Sequence, residues 1–354
     1  MKFSQEIKIG GKIISEDNPC FIIAEAGVNH NGDINLAKKL IDISVEAGVD
    51  AVKFQTFSTD RLILKDTEKA EYQKKNTESQ ESQYNMLKKL ELTFEDHKTL
   101  VDYCNEKGII FLSTPYDEES ADLLDELGVD AYKVASTDTT NLPFLEYLSK
   151  KNKPIILSTG MSYLSEVRKA VEIFERNSVR NLILLHCISN YPVAFEKANL
   201  LSIRTLEDEF KTLIGYSDHT YGVGVAPYAI PLGAKVIEKH FTLDKKLPGP
   251  DHKASLNPKE LKECVQLIRK VEKAMGNGIK VPILEEKAVK SSLQKSLVAK
   301  ANISKGQVLN KEMLTSKRPG TGISPLYIDE VIGRKVKTDI PKNGIIEYSI
   351  LEDE

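Results

Sequence analysis

Lys53 and Gln55 stand two residues apart in AVKFQT, as do Glu238 and His240 in IEKHF. In an extended strand, residues two apart share a face. Lys53 and Gln55 therefore point one way and Val52 and Phe54 the other, while Lys239 opposes Glu238 and His240. In AYKVAS, Lys133 shares its face with Ala131 and Ala135, small neighbours that leave room around its stem. Two lysines aimed into one cavity repel each other unless an anion joins them. With Ser136, Ser158 and Ser217 they form a candidate phosphate or carboxylate pocket, and the Thr159-Gly160 turn can add backbone N–H groups near a helix start. Snorkelling to solvent is the alternative for each lysine taken alone. Lys133 by itself also has the chemistry of a Schiff-base lysine.

His219 and His240 are 21 residues apart, about one strand-plus-helix unit. Two imidazoles with a carboxylate such as Glu25 suit a divalent transition metal; hydrogen-bonded wall histidines are the competing reading. Cys187 follows His186, so if the histidine faces inward the thiol faces the helices and packs there. His97 lies in a helical pattern and reads as surface or packing. Gly249-Pro250-Asp251-His252 is a rigid polar loop, with a plain turn as its alternative.

Groups so scattered in sequence need a scaffold that gathers them. Eight short apolar runs recur: 20–25, 51–56, 109–114, 131–136, 154–159, 182–187, 213–217 and 235–241. Amphipathic stretches separate them, and two of these end in Gly48 and Gly108, as helix C-termini do. Near-continuous apolar runs suit parallel strands buried on both faces. The rhythm predicts a (β/α)8 TIM barrel over residues 1–280, with chemistry at the C-terminal strand ends. All eight ends carry ionisable or hydrogen-bonding groups. A doubly wound open sheet competes, but no GxGxxG follows the first run. Residues 58–92 form a long polar insertion, either a lid over the site or a solvated loop. A linker over 281–290 precedes a turn-rich β module over 291–354, in which "I-x-K-G" and "I-P-K-N-G" turns recur.

Composition bounds the function. The 354 residues carry 49 Lys and Arg against 52 Asp and Glu, for a net charge of -3, which argues against a general nucleic-acid binder. No run approaches the ~20 apolar residues that span a bilayer. MKFSQEIKIGGKIISEDN lacks the apolar stretch of an export signal, so a cytoplasmic location is expected. The four cysteines form no CxxC pair, which disfavours a disulfide framework or a structural zinc site.

The strings IIAEAGVNHNGD, AVKFQTF, AYKVAS, ILSTGMS, GYSDHT and EKHFTLDKKLPGPDHKASL resemble those of bacterial sialic acid synthases, and the region around KRPGTGI resembles their antifreeze-like SAF domain, a small β-clip. The resemblance implies metal-dependent condensation of phosphoenolpyruvate with N-acetylmannosamine and water, giving N-acetylneuraminate and phosphate. Sibling enzymes make legionaminic acid from 2,4-diacetamido-2,4,6-trideoxymannose, or pseudaminic acid. The resemblance further implies that His219 and His240 bind Mn²⁺, with Mg²⁺ or Co²⁺ as alternatives. Lys53, Lys133, Ser136, Ser158 and Ser217 would hold phosphoenolpyruvate, and Glu25 would move a proton. Gln55, Asn76, Tyr191, Asp251 and His252 would face the sugar. Arg318 would reach the active site of a second copy in a domain-swapped homodimer. Ser189 stands where the family pattern often has Asn. Three other readings compete: a pyruvate lyase using Lys133, a synthase acting on a sugar phosphate, and a non-enzymatic ice- or carbohydrate-binding module.

Overall fold

In the computed structural model, which describes residues 3–77 and 81–352, the chain opens with an antiparallel hairpin of β1 (Glu6–Ile9) and β2 (Lys12–Ser15). Eight parallel strands follow: β3 (Phe21–Gly27), β4 (Ala51–Thr56), β5 (Ile110–Pro115), β6 (Tyr132–Val134), β7 (Ile155–Ser158), β8 (Leu182–Cys187), β9 (Leu213–Asp218) and β10 (Val236–His240). Each of the eight apolar runs is thus a strand. Their order is β5-β4-β3-β10-β9-β8-β7-β6, and β5 lies beside β6, so the sheet is a near-closed TIM-like barrel. The larger helices between and after the strands are α1 (Ile34–Ala47), α2 (Phe94–Lys107), α3 (Glu118–Glu126), α4 (Leu142–Ser149), α5 (Leu164–Arg176), α6 (Ser202–Phe210) and α7 (Pro258–Met275).

Local chemistry sets these elements. The Asp33 side chain accepts from the Asn35 and Leu36 N–H groups to start α1, and Gly48 ends it with φ 77°. Thr93 and Asp96 form a capping box on α2, and Gly108 ends that helix with φ 69°. The left-handed turn at both ends is what glycine supplies without steric cost.

Strand alternation then divides the barrel into layers. Phe21, Ile23, Ala51, Leu112, Ala131, Ile156, Ile183, Leu185, Leu213 and Val236 fill the interior at the N-terminal end of the strands. Ile7, Ile9 and Ile14 of the hairpin join that cluster, so the hairpin plugs the barrel floor. Outward residues such as Ile22, Val52, Leu157, Leu184 and Ile237 pack into the helical layer. Above the plug the inward positions turn polar, and there the cavity opens.

The 58–92 insertion folds into three short helical segments, Thr59–Leu62, Glu71–Thr77 and Gln83–Lys88; its residues 78–80 lie outside the described residues. Val28, Phe57 and Leu90, with Leu62, Leu87 and Tyr116 against them, form a small apolar cluster that anchors it.

The chain divides into two compact units, Met1–Gly276 and Asn277–Glu354. Within the second, a helix over Leu284–Leu293 occupies most of the stretch read as a linker. Beyond it, β11 (Ser296–Ala299) pairs with β12 (Leu314–Lys317), and bridges such as Ile303–Ile340 bring the two similar turns together around a core of Leu297, Leu309, Val331 and Ile346. No helix among the described residues is long and apolar enough to cross a membrane.

Candidate active site

A cavity of about 610 Å³ opens at the C-terminal ends of the barrel strands. Its floor is a buried charge cluster. Lys53 Nζ on β4 lies 2.7 Å from Glu25 Oε2 on β3 and 3.7 Å from Glu238 Oε2 on β10. It also donates to Thr114 Oγ1 at 2.9 Å. Lys133 Nζ on β6 lies 3.6 Å from Glu238 Oε1, which also accepts from Ser217 Oγ at 3.0 Å. Glu238 thus bridges the two lysines that the sequence placed in one pocket. Ser136, Ser158 and Ser217 line the same cavity. Ser136 Oγ accepts from the Gly160 N–H at 2.9 Å. Ser158 Oγ is buried with no hydrogen-bond partner among the described residues. Buried polar atoms lacking partners are costly in a core, and here they mark where a polar ligand would bond.

Glu25 faces inward by alternation with Phe21 and Ile23, and the register of β3 against β4 shifts just after it, between Glu25 and Gly27. Gly27 has φ +53°, and a Cβ there would stand 3.3–3.5 Å from Glu25 Oε1, Gln55 Nε2 and His240 Cε1. Gln55 Nε2 donates to Glu25 Oε1 at 3.3 Å. Burial raises the Glu25 carboxyl to about 7; Lys53 opposes the shift and Glu238 adds to it. For Glu238, burial pushes upward, but Lys133 and Lys53 overcome it and hold the carboxyl below its ordinary range. Burial depresses Lys133, with Glu238 opposing. The two carboxylates are thereby driven apart in protonation, the pattern that separates a proton carrier from a fixed anion.

His219 and His240 meet on the wall beside this cluster, ring centroids 5.5 Å apart. Tyr191 packs on His219 at 4.1 Å and edge-on to His240 at 5.7 Å. His219 Nδ1 lies 2.8 Å from the Ile188 carbonyl. A carbonyl only accepts, so Nδ1 donates, and in the neutral ring Nε2 keeps its lone pair; burial pushes the His219 imidazole down, but Cys187 and the Ile188 carbonyl overcome it and raise it. His240 Nδ1 is buried with no hydrogen-bond partner among the described residues. Two such nitrogen donors fit a borderline divalent cation. Among the described residues no group of three or more His, Cys, Asp or Glu is placed to hold a metal. A cation held here would complete its shell with water or substrate oxygens.

On the sugar side, Gln55, Tyr191 and Asp251 line the cavity. Burial raises Asp251 to about 6, with His219 opposing. The folded insertion forms one wall through Leu62, Tyr72, Gln73, Gln83 and Leu87. Asn76 and His252 stand apart from the cavity-lining residues. Asn76 Nδ2 donates to the Pro250 carbonyl at 2.6 Å and ties the insertion to the loop after β10. His252 is fully buried, its ring nitrogens 2.6 Å from Thr242 Oγ1 and 3.1 Å from Asn31 Oδ1. Arg318 is exposed on the loop after β12, in the second unit.

Other expectations change as well. Ile183 and Leu185 face inward, so alternation makes Cys187 the inward residue and His186 the outward one. Cys187 lines the cavity with its Sγ 3.7 Å from His219 Nδ1, while His186 Nε2 bonds the Ala198 carbonyl at 2.9 Å. The run LILLHC is apolar and buried on both faces, so it carries no alternation from which this phase could be read. Ser189 lines the cavity, whereas Asn190 Nδ2 donates to the Pro192 carbonyl at 3.1 Å and is exposed. His97 is buried and bonds Thr56 Oγ1 at 2.8 Å behind β4. Thr114, a polar residue at the end of its strand, lines the cavity; Tyr116 and Asp138, which were not singled out in the sequence, line it too.

Residues 40–280 match the NeuB family and residues 294–352 the SAF domain. An N,N'-diacetyllegionaminic acid synthase from Campylobacter jejuni is 50% identical, over 92% of this chain and 98% of its own. A protein of the same name from Legionella pneumophila is 48% identical over 94% and 95%. The crystal structure of an N-acetylneuraminic acid synthetase from Leptospira borgpetersenii, in complex with citrate, superposes with a TM-score of 0.72 at 37% identity, covering 81% of this chain and 95% of that one. On this footing the chain belongs to the NeuB family of sugar-acid synthases and carries a SAF domain after its barrel.

Proposed function

We propose that this protein condenses phosphoenolpyruvate with 2,4-diacetamido-2,4,6-trideoxymannose and water, releasing phosphate and forming N,N'-diacetyllegionaminic acid. The observation that carries the choice of sugar is identity of 48–50% over nearly the whole chain to two synthases of that name, against 37% to the sialic acid synthetase structure. This replaces N-acetylmannosamine, the sugar expected first from the sequence.

The cavity supports the chemistry. Lys53 and Lys133 offer fixed cations to the phosphate and carboxylate of phosphoenolpyruvate, and Ser136, Ser158 and Ser217 offer hydroxyl donors around them. Held there, the enol carbon attacks the sugar's aldehyde carbon, and positive charge develops at C2. Water adds to C2, and the tetrahedral adduct collapses with loss of phosphate. Glu25, balanced near neutrality, takes the water's proton or delivers one to the aldehyde end. A divalent cation at His219 and His240, Mn²⁺ in this proposal, would supply Lewis acidity toward the aldehyde oxygen when bound. Gln55, Tyr191 and Asp251 orient the sugar. The family resemblance supports a further element, a domain-swapped homodimer in which Arg318 of one copy completes the sugar site of the other.

Phosphate release tests the reading. After EDTA treatment, release from phosphoenolpyruvate should return with Mn²⁺ and be faster with the diacetamido sugar than with N-acetylmannosamine. The reverse preference would restore the sialic acid reading. Release with neither sugar, together with borohydride trapping of pyruvate on Lys133, would overturn the condensation in favour of a Schiff-base lyase.

A further inference from the structure

Each candidate metal histidine follows a buried charge that faces away from the cavity. Asp218 closes β9 immediately before His219, and Lys239 precedes His240 on β10. Asp218 and Lys239 are direct partners across the ladder, and that rung is the last between these strands. On the side where β9 and β10 meet, the two histidines therefore extend past the final ladder pair, while on its other side His240 still pairs with Glu25 of β3; among the described residues no hydrogen-bond partner holds His240 Nδ1. Their spacing depends on what fixes the strand ends.

Lys239 Nζ lies 2.8 Å from Asp218 Oδ2 and donates to the Thr220 carbonyl at 2.9 Å. Asp218 Oδ1 accepts from the Thr220 N–H at 2.8 Å, from Thr220 Oγ1 at 2.7 Å and from the Tyr216 hydroxyl at 3.3 Å. Its Oδ2 also accepts from the Ala226 N–H at 3.1 Å. The carboxylate is thus saturated by groups before and after the loop that carries His219. Gly224, with φ +68°, lies over the pair; a Cβ there would come within 2.7 Å of Asp218 Oδ2 and 2.8 Å of Lys239 Nζ. The lid of backbone leaves both side chains almost fully buried, at 4% and 0% exposure.

Burying two opposite charges costs heavily in desolvation, and an apolar pair of similar volume often serves stability as well or better. What the ion pair adds is direction: a saturated, bonded geometry at one rung. With side chains alternating along each strand, that rung also sets where the next residue on the other face points. We infer that the Asp218–Lys239 pair is a positioning device that holds His219 and His240 at the spacing a divalent cation needs. The inference rests on the assignment of the metal to these histidines.

Mn²⁺ binding to the full-length, EDTA-stripped protein tests it, read from the electron paramagnetic resonance signal of free Mn²⁺ without any turnover. Parent protein should bind one Mn²⁺ per chain. Asp218→Asn and Lys239→Met should each weaken that binding tenfold or more, while Lys239→Arg, which keeps the charge and a donor, stays close to the parent. Thr220→Val removes one donor to the carboxylate without baring a charge; it should cost about threefold and covers the case in which the charge variants fail to fold. Folded variants that bind Mn²⁺ within twofold of the parent would overturn the positioning role and leave the metal assignment intact. A parent that binds no Mn²⁺, with or without phosphoenolpyruvate, would overturn the metal assignment and the positioning role together.

Discussion

Replacing Glu25 with glutamine separates the chemistry of this carboxyl from its cost to the fold. Glu25 is only 1% exposed and held at about 7 instead of its ordinary 4.5, by burial first, with Lys53 opposing and Glu238 reinforcing. Because the folded-state value lies above the unfolded one, the native protein retains a proton that the unfolded chain releases. The stability linked to Glu25 is therefore fully present below about pH 4.5 and is lost as pH rises through about 7. The loss amounts to about 3 kcal/mol, at ~1.4 kcal/mol per pKa unit. Glutamine keeps the shape and cannot ionise, and Lys53 retains Thr114 at 2.9 Å and Glu238 at 3.7 Å. Glu25→Gln should thus match the parent at pH 4.5 and exceed its stability by about 3 kcal/mol at pH 8.5. The chain has no tryptophan, so urea unfolding followed by far-UV circular dichroism is the suitable assay. Turnover should fall about 10²- to 10⁴-fold, with loss of the limb near pH 7 in the rate profile. Equal stability of the two proteins at both pH values, or an unchanged rate limb in the variant, would refute the reasoning.

Four other outcomes are expected. Lys133→Ala should abolish phosphate release and the thermal protection that phosphoenolpyruvate gives the parent; retained protection would remove Lys133 from the anion pocket. His240→Ala should abolish Mn²⁺-dependent turnover and weaken Mn²⁺ binding in equilibrium dialysis, whereas full activity would sink the metal assignment. In Gly160→Ala the new Cβ would fall on Ser189 Oγ and within 2.8 Å of Ser136 Oγ, so the KM for phosphoenolpyruvate should rise at least tenfold with little change in melting temperature; an unchanged KM argues that this turn stays clear of the substrate. Arg318→Ala should raise the sugar KM while sparing the fold, and mixing it with an inactive Lys133→Ala protein should restore part of the activity if the arginine serves a second copy.

Strand positions were legible because eight runs of β-branched and aliphatic residues need burial on both faces, and period-2 alternation then assigned Lys53, Gln55, Glu238 and His240 to the cavity side. Gly48 and Gly108 marked helix ends through a conformation that other residues resist. Tertiary structure decided the rest. The side that His186 or Cys187 faces depends on a one-residue phase that only the neighbouring strands fix. Glu238 became the bridge between Lys53 and Lys133 because β3, β4, β6 and β10 converge across the barrel, a relation among residues more than a hundred positions apart. The partners of Asn76 and His252, which are Pro250, Thr242 and Asn31, follow from loop packing. The role of Ile7, Ile9 and Ile14 was not legible in the sequence, because only the open barrel floor gives the hairpin's apolar face something to cover. Local pattern determines which residues can lie on a face; closure of the barrel determines which faces meet, because that depends on long-range packing that no short window of sequence contains.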